Sequence, residues 1–266
     1  VRFPTRRNPE SPEPHPEGLE PWELGDPLDE LDGLQTILQS PHVIPGQSTV
    51  RRVYGLAPAN EPDPVPVDLD LYVDSSGSMP NPQQRTSYLA LAGAVIALSA
   101  LRVGSAVQVT LWSGKGQVTH TRGFLRNEEQ ILRVLTGFYG GATAFPIHRL
   151  RDTYQGRSVT ARPVHILHIS DDGITTMFDD DERGHGGWQV AAQALAAARG
   201  GGTMALNIPA HWDQTGVAGV SAVLRRARDE QGWDIHPIAR MEDLLQFARA
   251  FSRRHYSAAN GMEVAA

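Results

Sequence analysis

The chain has no cysteine, which excludes disulfide staples and thiolate metal centres and fits a reducing compartment. Lysine is nearly missing too: Lys115 is the single one among 24 basic residues. With 30 acidic residues the formal net charge is −6, which speaks against nucleic acid as the main partner. No apolar run reaches the ~20 residues that a membrane span needs. The longest uncharged helical stretch, Thr86 to Leu101, is shorter and is full of Ala, Gly and Ser. The first residues hold Pro, Arg and Glu with no apolar signal core, so a cytoplasmic protein without a membrane partner is expected. Gly114-Lys115-Gly116 lacks the spacing of a phosphate loop, so the chain is not expected to hydrolyse nucleotide. A Gly-x-Ser-x-Gly nucleophile elbow is also missing.

What is there begins with an apolar run that stops at oxygen-bearing side chains. Val67-Asp68-Leu69-Asp70-Leu71-Tyr72-Val73 reads as a strand with Val67, Leu69, Leu71 and Val73 on one face. It ends in Asp74-Ser75-Ser76-Gly77-Ser78, where the chain must turn and can gather one carboxylate and two hydroxyls around a point. Such oxygens suit a hard cation, Mg2+ or Mn2+. Further on, Gly140-Gly141-Ala142-Thr143 is a glycine-rich turn ending in a hydroxyl. Val164-His165-Ile166-Leu167-His168-Ile169 then reads as a second strand, ending in Ser170-Asp171-Asp172-Gly173.

These three motifs, in this order, resemble the metal-ion-dependent adhesion site of von Willebrand factor A domains. The resemblance covers roughly residues 67 to 254. It implies Ser76, Ser78 and Thr143 as hydroxyl ligands of Mg2+ or Mn2+, with Asp74 and Asp171 acting mostly through waters. The family usually carries one Asp before the Gly, and here there are two; Asp171 follows the strand-end Ser and is preferred, with Asp172 as the alternative. Hydroxyl ligands leave the ion's charge incompletely neutralised, so an open position would attract a carboxylate from a partner protein. The resemblance thus implies a non-enzymatic docking module. Gly25 to Asp32 faintly resembles the Gly-Asp lead-in of some bacterial von Willebrand-type proteins encoded beside MoxR ATPases; with the intracellular composition and the arm before the domain, the resemblance implies a hexameric MoxR-type AAA+ ATPase as partner. Subunits of magnesium and cobalt chelatases that carry such domains are the alternative, and an exported adhesin comes third.

The rest of the pattern alternates strand and helix, as a doubly wound, mostly parallel α/β sheet requires. Helices are expected over 88–101, from Asn127 through Leu135, over 188–199 and 220–228, and around Leu244 to Arg254. Strands are expected over 105–112, 203–208 and 233–238, with a short edge strand over 117–121. In such sheets ligands sit at the carboxyl ends of the strands, where all three motifs fall. Residues 67–256 are therefore read as the domain, and 257–266 as a flexible tail. Residues 1–66 are read as a Pro-rich arm, a short helical segment over 22–40 that packs on the domain, and a Pro-rich linker from 58 to 66.

His165 and His168 alternate with apolar residues and are read as hydrogen-bonded core residues rather than zinc ligands. Asp179-Asp180-Asp181-Glu182 is read as a solvated acidic loop; the sharper reading is an acidic rim that selects basic partner surfaces. Asp74, Lys115 and the Asp171-Asp172 pair also resemble parts of a haloacid-dehalogenase-type phosphatase. There a second Asp two residues after the first protonates the leaving group. Here Ser76 holds that position, a poor general acid, and Ser78 and Thr143 are left idle.

Overall fold

Leu69, Leu71 and Val73 alternate with Asp70 and Tyr72 along β3 (Asp68–Asp74), and every residue of the strand is buried. A strand covered on both faces belongs to a sheet with a layer packed on each side. In the computed structural model, which describes residues 5–62, 66–159, 161–181, 183–214 and 219–256, β3 lies between β4 (Val107–Trp112) and β6 (Val164–Asp171), parallel to both. Beyond β6 come β7 (Arg199–Asn207) and β8 (Asp234–Pro237), also parallel. The short antiparallel strand β5 (Val118–His120) closes the other edge. The order β5-β4-β3-β6-β7-β8 makes a six-stranded, mostly parallel sheet.

Helices cover both faces. On one, Leu69, Leu71 and Val73 meet α2 (Tyr88–Arg102), α3 (Glu128–Leu135) and α7 (Leu244–Tyr256). On the other, Tyr72 and Ile166 meet α4 (Ile147–Tyr154), α5 (Gly187–Ala198) and α6 (Val220–Arg226). Side-chain caps set two of the helix starts: Ser87 accepts from the Ala90 N–H and Asn127 from the Gln130 N–H. From β3 the chain winds to β4 on one side; from β6 it winds to β7 on the other. That reversal opens a crevice beyond the carboxyl ends of β3 and β6.

Some boundaries differ from the sequence reading. Arg199, in the left-handed conformation at φ 61°, caps α5; Gly200 to Gly202 belong to β7 rather than to the helix stop. Glycine is required there because a Cβ on Gly200 would lie 2.4 Å from the Val164 carbonyl oxygen. Helix α4, which begins directly after Pro146, carries no cap or periodicity strong enough to stand out in the sequence.

The chain divides into two compact units, 1–65 and 66–266. In the first, β1 (Thr5–Pro21) and β2 (Val50–Pro62) form a long antiparallel pair around α1 (Gly33–Gln39). The Pro-rich stretch read as an unpaired arm is thus a strand, and residues 58–62 of the expected linker are part of its partner. Pro12, Pro14 and Pro16 recur at a period of two, so their missing N–H groups fall on one and the same side of the strand. Trp22, Thr36, Thr49 and Val50 are buried, whereas Leu28, Leu34 and Ile37 stay exposed, as do Leu24 at 79% and Leu38 at 69%. The tail, 257–266, and residues 63–65 lie outside the described residues.

Candidate metal centre

Three loops meet at the carboxyl edge of the sheet, one following β3, one running from α3 to α4 and one following β6, and backbone hydrogen bonds join the first two. The Gly77 N–H donates to the Gly141 carbonyl at 2.8 Å, and the Gly140 N–H donates to the Ser75 carbonyl at 2.8 Å. Gly77 permits this approach, since a Cβ there would lie 3.3 Å from the Gly140 oxygen. Ser113, just past β4, holds the Thr143 loop from below: its hydroxyl donates to the Ala142 carbonyl at 3.0 Å and accepts from the Gly141 N–H at 3.1 Å. Thr143 in turn lies against Gly173 in the third loop, where an added Cβ would come 2.4 Å from the Thr143 methyl.

Two of the three expected hydroxyls, those of Ser76 and Ser78, converge with one carboxylate, and Thr143 lies in the adjoining loop. Ser76 Oγ and Ser78 Oγ are 3.1 Å apart, and Ser78 donates to Asp171 Oδ2 at 2.8 Å. Asp171, not Asp172, is therefore the carboxylate against the hydroxyls; its other oxygen accepts from the Gly173 N–H, while Asp172 is exposed and opens a short 3-10 turn. Asp74 is buried, with one oxygen accepting from the Ser76 N–H at 2.7 Å and the other from the Ser170 hydroxyl at 2.7 Å. Both its oxygens are thus engaged in orienting the Ser76 turn. Burial pushes the Asp74 carboxyl above its ordinary 3.8, offset by the Ser170 and Ser76 hydrogen bonds, while the nearby Asp171 charge raises it further.

The donor set fits a hard divalent ion. In a near-octahedral Mg2+ shell with bonds of about 2.1 Å, neighbouring ligand oxygens stand about 3.0 Å apart. The Ser76–Ser78 and Ser78–Asp171 separations, 3.1 and 2.8 Å, lie close to that edge length. Among the described residues no group of three or more His, Cys, Asp or Glu could hold a metal, so an ion here would depend on hydroxyls.

Ser170 and Ser113 escaped the sequence reading as supports of the site. The position of Ser170 at the strand end, one residue before Asp171, was the available signal; Ser113 sits at the matching end of β4 and had none. The histidines are both buried. His165 bonds to the Gly200 carbonyl at 2.7 Å and to Thr203 Oγ1 at 2.9 Å, as expected of a core residue. His168 differs: it is packed on Tyr72, Phe145 and Trp233, and neither ring nitrogen has a hydrogen-bond partner among the described residues. Burial pushes its pKa down to about 3, and that of His165 to about 4. In the acidic loop, Asp181 is buried against Arg151 and His185, while Asp179 and Asp180 are exposed; Glu182 lies outside the described residues.

No protein-family model and no curated protein matches the chain. Solved structures do. A pilus adhesin of Lactobacillus rhamnosus GG is 13% identical with a TM-score of 0.48, over 73% of this chain and 30% of that one. The von Willebrand factor domain of a type V pilus tip protein from Porphyromonas gingivalis is 14% identical with a TM-score of 0.33, over 40% of this chain and 38% of that one. An aerotolerance-related membrane protein of Bacteroides fragilis is 10% identical with a TM-score of 0.41, over 71% of this chain and 99% of that one. The chain spans less than a third of the length of the pilus adhesin it matches. Likenesses this distant say nothing of what the chain binds. No described helix is long and apolar enough to cross a membrane.

Proposed function

We propose that residues 66–256 form a von Willebrand A-type docking module that holds Mg2+, or Mn2+, on Ser76, Ser78 and Thr143, with Asp74 and Asp171 behind them. The observation that carries this reading is the Ser76–Ser78–Asp171 set, spaced at 3.1 and 2.8 Å where three loops meet. Asp74 and Ser170 orient the Ser76 turn, Ser113 orients the Thr143 loop, and Asp171 aligns the Ser78 hydroxyl. When bound, the ion supplies an electrophilic position that a carboxylate can fill. Hydroxyl ligands are neutral, so they leave more of its charge for that incoming carboxylate than a site built of carboxylates would. The partner is thus a protein offering a Glu or Asp, in our reading a MoxR-type AAA+ ATPase, and the chain performs no catalysis of its own.

The test is isothermal calorimetry with Mg2+ alone, followed by pull-down from a bacterial host with and without EDTA. Ser78→Ala changes an exposed residue and is expected to lower Mg2+ affinity at least tenfold with the melting temperature kept. Asp74→Ala is expected to abolish binding, with some loss of stability because Ser170 and the Ser76 N–H lose their acceptor. Unchanged affinity in both variants sinks the assignment. A chelatase ATPase in the eluate would keep the metal chemistry and replace the partner. Partner capture that survives EDTA would make the site structural.

A further inference from the structure

Beside Thr143 the second unit has a cleft of about 600 Å3. Val118, Phe145 and Ile147 are among its apolar lining, and Lys115, Asp179 and Asp180 among its charged lining. Phe145 and Ile147 belong to the buried cluster under α4 and α5, so the wall they form cannot close up without repacking that core. Asp181 is not available to a ligand. Its carboxylate accepts from Arg151, from the His185 ring and from the backbone N–H groups of Arg183 and His185. Asp179, Asp180 and Lys115 are exposed, and among the described residues none of them has an ion-pair partner. Two unpaired carboxylates against one ammonium leave the cleft negative. An apolar wall with a negative lining matches one kind of side chain, a long aliphatic stem ending in a cation.

We propose that this cleft is a second anchor for the partner segment, and that it takes an arginine or lysine a few residues from the carboxylate that engages the metal. The inference rests on the metal-docking reading, because Thr143 both lines the cleft and belongs to the metal-site loops. It gives the partner segment a polarity: the acid goes to the ion and the base to Asp179 and Asp180. A single metal–carboxylate contact would accept almost any exposed Glu. The second anchor makes the choice selective, since charge complementarity also penalises an acidic neighbour.

The probes are labelled octapeptides of glycine and serine, each carrying one Glu and, two to four positions to either side, Arg, Lys, Leu or Asp. Binding to the full chain is read by fluorescence anisotropy in Mg2+. At the best spacing, Arg or Lys peptides are expected to bind about tenfold more tightly than the Leu peptide, and the Asp peptide most weakly. The double variant Asp179→Asn, Asp180→Asn is expected to bring the Arg peptide to the Leu level while calorimetric Mg2+ affinity stays unchanged. Lys115→Ala is expected to tighten the Arg peptide further. A Leu peptide that equals or exceeds the Arg peptide overturns the proposal, and so does failure of every peptide to bind. An Arg preference that survives EDTA and Ser76→Ala upholds the cleft and overturns the metal-docking reading instead.

Discussion

The two units of the chain are held by different physics. In residues 66–256 the strands are buried on both faces, and two clusters of closely packed side chains lie under the helices. In residues 5–62 the ordering element is a backbone ladder, with Trp22 and Val50 buried beside it and most of the leucines exposed. Arg51 reaches Glu20, Asp26 and Glu30, and Arg52 reaches Asp32, but these pairs are partly or largely exposed and worth little each. The loops of the proposed metal site therefore stand on the unit with the closely packed core. The first unit has backbone order without a core to fix its surface.

The largest test of this contrast is truncation of apolar side chains. Leu167→Ala empties a fully buried position in β6 and is expected to cost about 2–5 kcal/mol. Leu34→Ala, 64% exposed in α1, is expected to change stability by less than about 0.5 kcal/mol. Chemical denaturation of the full chain reads both, and comparable losses would mean that the first unit buries its leucines after all.

A smaller effect follows from proton binding. His168 stays neutral in the folded chain down to about pH 3, whereas an unfolded histidine takes up its proton near 6.5. Its contribution to stability is full above pH 6.5 and is lost as the pH falls, by up to about 1.4 kcal/mol per pH unit. His165, lowered to about 4, acts in the same direction. Asp70 opposes them: burial raises it to about 6, against the hydrogen bonds from Tyr154 and Gln108, so its contribution is full below 3.8 and is lost as the pH rises through 6. Two histidines outweigh one aspartate, and net loss is expected between pH 6.5 and 4. His168→Phe, close in volume, should flatten that slope. Melting curves across this range check it, and an unchanged slope would show that the ring is protonated in the fold.

A local effect is expected in the first unit. Trp22 is buried and its indole N–H donates to the Pro27 carbonyl at 2.9 Å. Trp22→Phe keeps most of the apolar area and loses that bond, at about 1 kcal/mol. Hydrogen exchange should report faster exchange of the β1 and β2 amides with those of β3 unchanged. Equal acceleration in β3 would mean that the two units unfold as one.

The sheet was legible because its signals are local. Apolar runs ending in Asp74 and Asp171, a buried-looking helix over 88–101 and the Asn127 cap each carry their own physical reason. The hairpin was not legible, because β1 finds its partner tens of residues away and its prolines read as a stretch without structure. For the proposed site, Asp74, Ser76 and Ser78 could be picked out from their position at a strand end, whereas Thr143 and Asp171 came only through the family resemblance. The supports could not: Ser113 becomes relevant only through the β3–β4 register, which sequence does not print. His168 shows the limit from the other side, since its alternation announces burial but not the want of a partner.

The two hydrogen bonds that tie Ser75 and Gly77 to the Gly140–Gly141 turn also bear on timing. Loops that must close around an ion lose conformational entropy at each capture, and the closure sets the rate. Here the hydroxyl-bearing turns are already fastened to one another, and that entropy was given up when the domain folded. If the proposed site takes Mg2+, what remains slow is the release of the ion's water, which it gives up reluctantly. Capture should therefore be governed by the ion rather than by the protein, and Mn2+, which exchanges its water faster, should load more quickly on the same oxygens.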